Sequence, residues 1–429
     1  MKKIIYVVAV FAVLLLTACK QEYINPNQPT DADVFTSVEG LTRVIVGIKN
    51  RYAVNNLAPS VVYQSISASA LTTKEAAVLN AGNADLAQVE NGLNNLAPNN
   101  GVITSLWTTA NVINSESIKV INGSANVGEV NMRNAIRIYG HLYRALALGT
   151  MAAFWERVPV TPGANAAYAS RSEALQEAVK LLDDAATLLS TTTIPSTFTA
   201  AVGAEINLPN TLRALAARYY MMLGNNDLAI ARASAVTLSS TSVFFFNNIN
   251  PNPVFRSSLT NNNTYGIRTN FGLSGVLAPN PADKRIAFHL TKNAANGSGF
   301  FLGDATTIPL YQPGEMLLIL AEANARKDLL PAAVGFLNQV LTKTPAADAF
   351  GVGADLPVYS GPNTKDDILL EIYKNRCIEL YMSGLKLEDS RRFSRPGPGA
   401  PNSERSRNFY PYPQQERDGN ANTPPDPAG

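Results

Sequence analysis

Residues 138–153 read Ile-Tyr-Gly-His-Leu-Tyr-Arg-Ala-Leu-Ala-Leu-Gly-Thr-Met-Ala-Ala, and Ile138, Leu142, Ala145, Gly149 and Ala153 fall at steps of four, three, four and four. A helix turns once every ~3.6 residues, so this spacing holds five small or apolar side chains on one stripe of a long helix. Similar stripes run through residues 36–54, 103–121, 173–189, 212–223, 228–238, 314–325, 332–341 and 366–384. The chain therefore reads as mainly α-helical. Start and stop signals agree: Ser170 with Glu173 makes a capping box, Thr364 with Asp367 a weaker one, and Gly224 follows a helix end.

Two of the helix pairs have the layout of tetratricopeptide units, which stack because neither helix can cover its apolar face alone. In the first, Leu212, Ala216 and Tyr219 precede Gly224, and Ala229 is the small contact of the second helix. In the second, residues 317–323 pair with Ala332, Ala333, Leu337 and Val340, without the glycine. Residues 36–429 are expected to form a single domain. Between residues 241 and 308 the helical period fails, leaving Phe244-Phe245-Phe246, eight asparagines from Asn247 to Asn270, and scattered Gly and Pro. Residues 71–100 behave likewise. Such long irregular stretches inside a compact domain are functional or carry short strands of their own, so these two are the candidate binding loops.

The N-terminus has a different design. Lys2 and Lys3 precede mostly apolar residues up to Leu16, and Leu16-Thr17-Ala18-Cys19 closes the segment. This succession is the layout of a signal peptide over residues 1–18. The apolar run is too short for a spanning helix, which needs about 20 residues. Leu-Thr-Ala-Cys is also similar to a bacterial lipobox, which implies that Cys19 becomes the lipidated first residue of the mature protein. Three acyl chains, at ~0.8 kcal/mol per buried methylene, would hold it on a membrane essentially permanently. Residues 19–35, rich in Asn, Gln and Pro, read as a tether.

Without Lys2 and Lys3 the 35 basic residues of the chain fall to equal its 33 acidic ones, so no net field attracts nucleic acid. Only Cys377 remains once Cys19 is lipidated, so no internal disulfide is available and stability must come from the core.

The sequence resembles the SusD/RagB family, surface lipoproteins of Bacteroidetes that work beside TonB-dependent outer-membrane transporters. Trp107 with Asn111 is similar to an early family helix, and residues 139–160, with Arg144-Ala145 and the closing Arg157-Val158-Pro159-Val160, to its long helix. Gln312-Pro313-Gly314-Glu315 running into Ala321-Glu322-Ala323 looks like the family's Glu-x-x-Leu…Ala-Glu-Ala helix. Arg376, Glu379-Leu380, Gly384, Asp389 and Arg391-Arg392 fall at family spacing, and residues 411–416 stand where a Pro-x-Pro-x-x-Glu motif belongs. Asn375, Ser383, Lys386 and Ser390 depart from the pattern. The resemblance implies an all-α, SusD-like helical domain that captures an oligosaccharide or peptide outside the cell. It also implies a SusC-like TonB-dependent transporter as partner, an outer-membrane location facing the cell exterior, and no cofactor. Lys20-Gln21-Glu22 is similar to a surface-export signal of such lipoproteins. The alternative is a helical-repeat scaffold lipoprotein that organises partner proteins and binds no small ligand.

Catalysis finds little support in the residues. The two histidines, His141 and His289, assemble no triad or metal set. His141 reads as a satisfied structural residue of the long helix, and His289 has no identifiable partner. Asp183-Asp184 and Asp366-Asp367 splay around helix surfaces, whereas a glycosidase flanks one bond with its two carboxyls. The charged set of Arg376, Glu379, Lys386, Asp389, Arg391 and Arg392 reads as helix stitching. A neutral oligomer needs aromatic faces and amides on a rigid scaffold. Tyr63, Tyr265, Phe271, Phe300 and Phe301, with Asn80, Asn83 and Asn270, are the candidate ligand contacts. Trp107 and Trp155 are read as helical core residues.

Overall fold

The computed structural model describes residues 31–260 and 263–429; the signal segment, Cys19 and the first part of the tether lie outside the described residues. Helix follows helix: α1 (Val38–Ala53), α2 (Val61–Thr72), α3 (Gly101–Gly123), α4 (Val130–Phe154), α5 (Arg171–Ser190), α6 (Leu208–Met222), α7 (Asn226–Ser234), α8 (Pro313–Arg326), α9 (Leu330–Leu341), α10 (Lys365–Glu379) and α11 (Lys386–Arg392), with shorter helices between. The fold is mainly α-helical, as the stripes predict.

Several helices begin where a side chain can satisfy orphaned N–H groups of the first turn. Ser170 and Glu173 cap α5 reciprocally, and Thr364 accepts from the Asp367 N–H at the start of α10. Glu129 caps α4, which therefore starts eight residues before the quoted stripe. It ends earlier than the resemblance implies. Trp155 is its extended C-terminal cap, not a helical residue, and Arg157–Val158 pairs as a short strand with Ala169–Ser170.

The helices stack as pairs. α4 packs on α5, α5 on α6, α6 on α7, α7 on α8, and α8 on both α9 and α10. The α6–α7 turn uses Gly224 at φ +74°, and the α8–α9 turn places Asp328 at φ +60°, supplying the left-handed residue that the missing glycine would have provided. One core cluster runs from Leu41 to Tyr412, and a second lies among α8, α9 and α10 around Leu318, Leu337 and Ile372. Burying each such side chain contributes about 1.5–3 kcal/mol.

Two features position the surface. The candidate loops are neither structureless nor separate: Ala76–Val78 (β1) pairs antiparallel with Tyr265–Ile267, so Val78 faces Tyr265 across a ladder that joins them. Arg268 reaches Glu90 at 3.1 Å beside that ladder. Second, the C-terminal segment returns to the first half of the chain. Ser406 N–H donates to Thr72 O, Tyr410 N–H to Phe154 O, and the Trp155 indole N–H to Pro411 O at 3.0 Å.

Candidate ligand-binding site

Five of the sequence-derived contacts are corrected by their burial. Tyr63, Tyr265, Phe271, Phe300 and Phe301 all lie in the core. Tyr63 sits on α2 and bonds Ser258 Oγ at 2.8 Å, Tyr265 bonds Ser67 Oγ at 2.9 Å, and the two rings stack on each other. Phe271 and Phe300 pack around His289 with Phe288 and Tyr381. The physical reason is that the second loop packs against the helical body, with Tyr265 on α2 and Phe271 on Tyr381, so the large apolar rings at the contact are covered. They offer no face to a ligand. Asn80 and Asn83 lie toward the surface, where their amides bond Asn263, and Asn270 closes its own turn on Gly272 N–H and Leu273 O. The structure thus brings Asn80 and Asn83 together beside the β1 ladder, while the rings they were to accompany face inward.

Neither histidine reaches a surface groove. Burial pulls the His289 imidazole down to about 3 and His141 to about 4, so both are neutral near pH 7. His141 Nδ1 has no partner among the described residues, which corrects its reading as a satisfied residue. Among those residues no His, Cys, Asp and Glu group has the arrangement of a metal site. The C-terminal charges bond one another: Arg376 holds Asp389, and Arg392 spans Asp389 and Glu322. Arg391 holds Glu388, and Lys386 donates to Phe271 O. They stitch α8, α10, α11 and the second loop together.

An exposed aromatic does emerge from the second loop, at a residue the sequence reading passed over. Val243–Phe244 is a strand paired with Ile308–Pro309. From its last residue onward burial alternates: Phe244 and Phe246 are buried, while 55% of Phe245, just past the strand, is exposed. Inside, Phe244 stacks on Tyr52 of α1 at 5.5 Å. Beyond Phe246 the chain turns tightly, because Asn247 Oδ1 accepts from the N–H groups of Ile249 and Asn250. Asn250 in turn accepts from the Asn50 amide on α1. The three-phenylalanine run offered a signal only in that three consecutive large rings rarely all face one way.

Phe245 overlooks a groove of about 510 Å³ between α1, the short helix Ser196–Val202 and this turn. Its floor is the half-buried ion pair of Lys49 and Glu205, with Lys49 donating also to Val202 O. Desolvation pulls the Lys49 ammonium down to about 8. Asn50, Asn247 and Asn250 supply amides around the ring. The set suits a neutral, hydrogen-bonding ligand with one apolar face. Among the described residues Glu205 is the one carboxylate lining the groove.

No family model and no curated protein matches the sequence. Solved structures do match in shape. A SusD homolog from Bacteroides thetaiotaomicron aligns with TM-score 0.70 at 10% identity over 94% of this chain and 99% of its own. A SusD superfamily protein from Bacteroides fragilis aligns with TM-score 0.68 at 17% identity, covering 91% and 99%. A SusD-like carbohydrate binding protein from Bacteroides vulgatus gives 0.66 at 16%, covering 90% and 97%. At such identities the likeness shows the fold, and it spans nearly all of both chains.

Proposed function

We propose that this chain, which has the fold of the SusD superfamily proteins, is a lipid-anchored receptor that holds a neutral oligomer in the Phe245 groove and passes it to a SusC-like TonB-dependent outer-membrane transporter. The observation that carries the receptor reading is the exposed Phe245 ring over amides and a compensated ion pair. A saccharide is favoured over a peptide, because a ring stacks on one face of a sugar while amides take its hydroxyls. Structures of the same fold named as carbohydrate or sugar binding proteins point the same way. The transporter partner and the outer-membrane location rest on the family resemblance and the lipobox. A pure scaffold would share the stacked helix pairs but has no use for a groove of this chemistry.

Phe245→Ala should weaken binding of a neutral glycan by about tenfold, the loss of one aromatic contact and its buried area, with an unchanged melting temperature. Isothermal titration of the detergent-solubilised lipoprotein measures it. Equal affinity in the variant would remove the groove from the reading, and a changed glycan recovered after incubation would make the protein an enzyme.

The anchor has its own test. Among the described residues no helix is long and apolar enough to cross a membrane, so attachment depends on Cys19. Cys19→Ser should release the protein into the periplasm or leave it uncleaved at the inner membrane, as fractionation would show. In cells lacking the partner transporter, variant protein still in the outer-membrane fraction at wild-type level would overturn the lipid assignment.

A further inference from the structure

The Phe245 groove has a neighbour. A second groove, of about 860 Å³, lies between the end of α5, the start of α6 and the segment leading into the Phe244 strand. The two share Gly203 and Glu205. Its lining mixes apolar side chains such as Ile206 and Leu208 with two amides, Asn207 and Asn210, and with hydroxyls along Thr237 and residues 239–241. Among the described residues no Lys, Arg or Asp lines it, and Glu205 is its one carboxylate. The wall is pinned rather than loose. Asn210 Oδ1 accepts from Thr237 N–H, and Ser242 Oγ accepts from both Asn207 N–H and the Thr211 hydroxyl.

Glu205 stands where the grooves meet. Its Oε1 is held by Lys49, which compensates the charge, while its Oε2 bonds to no described residue. The carboxylate lies over Gly203, at φ +93°, so closely that a Cβ there would be 2.1 Å from Oε2. Glycine at the junction therefore serves both the backbone turn and the low profile of the ridge. That oxygen is an acceptor at the junction of the two grooves.

We infer that one ligand lies across Glu205 and fills both grooves, so that the protein takes an uncharged, hydroxyl-rich chain of several units rather than a single small molecule. This rests on the receptor reading and deepens it. Each groove by itself has the ~300–1,000 Å³ of an ordinary small-ligand site, and the two joined exceed that range. The Phe245 end grips the apolar face of one unit. Glu205 Oε2 accepts a hydroxyl from the unit above the ridge, and the Thr237–Thr241 wall exchanges hydrogen bonds with the units beyond. A charged chain would bring an uncompensated charge against a wall with no counter-ion to meet it.

The test uses the detergent-solubilised full-length lipoprotein, a neutral-glycan array to find a bound glycan, and a ladder of that glycan from dimer to octamer. Affinity should rise with length past the point where the Phe245 groove is filled. Thr241→Arg, at an exposed position, should close the second groove and lower octamer affinity by about tenfold while the dimer binds as in wild type. Thr237→Arg does the same from a separate position, should the first variant fold poorly. Phe245→Ala should weaken every length. If affinity is flat from dimer to octamer, or both arginine variants bind the octamer as wild type does, the two-groove path is wrong and the receptor reading stands. If no glycan on the array binds, the saccharide receptor reading falls, and this inference with it.

Discussion

Arg285→Met should destabilise the protein by about 3–5 kcal/mol, the cost of leaving buried carboxylates without their counter-charge. Arg285 is wholly buried and carries the link between the second loop and α10. Its guanidinium donates to both oxygens of Asp283, at 3.0 and 2.7 Å, to Glu379 at 3.0 Å and to Asn375 at 2.8 Å. Methionine fills much of the volume but satisfies none of these acceptors. Glu379 would keep Lys343, so the orphaned group is chiefly Asp283. The double variant Asp283→Asn, Arg285→Met should therefore lose less than the single one, and this difference separates charge from shape. Urea denaturation measures both. A single variant within ~1 kcal/mol of wild type would show that the network contributes little.

Trp155→Ala should cost a similar ~3–5 kcal/mol, for a different reason. The indole is completely buried, meets Trp107 edge-on at 4.9 Å and Tyr410 at 6.0 Å, and donates to Pro411 O. Alanine leaves a cavity at the seam between the end of α4 and the C-terminal segment, and also an unpaired carbonyl. Trp155→Phe should retain most of the packing and lose mainly the hydrogen bond, at about 1–2 kcal/mol. Chemical denaturation compares the two. Equal losses in both variants would mean that the ring volume is not what holds the seam closed.

These two sites mark the edge of what the sequence discloses. Helices with one apolar stripe were legible because the contrast between faces is written in the spacing, as along Ile138 to Ala153. α2 was not, since every residue from Val61 to Thr72 except Ser65 is buried and a helix covered on all sides has no contrasting face. The capping box at Ser170 and the turn at Gly224 were legible because they depend on residues close in sequence. The pairing of Arg285 with Glu379 was not, since nothing local relates residues so far apart.

The binding surface divides in the same way. The second loop was recognised as irregular and rich in phenylalanine and asparagine, and the Phe245 groove is built partly from it. Which ring faces outward depends on what covers it. Tyr265 and Phe271 read as loop aromatics, yet α2 covers the first and Tyr381, just past α10, the second, and those contacts come from far along the chain. Phe245 was hinted at locally, as the middle of three consecutive rings of which the outer two are buried.

The return of the C-terminal segment bears on timing. Ser406 and Tyr410 close over Thr72, and Pro411 receives the Trp155 indole across 256 residues, so the first helices have no finished wall until almost all of the chain exists. Nascent chains halted before residue 406 should accordingly remain open to protease, and protection in them would refute the delay. For the exported lipoprotein proposed above, placing the closing piece last in synthesis would let residues 1–18 engage export before the body can lock.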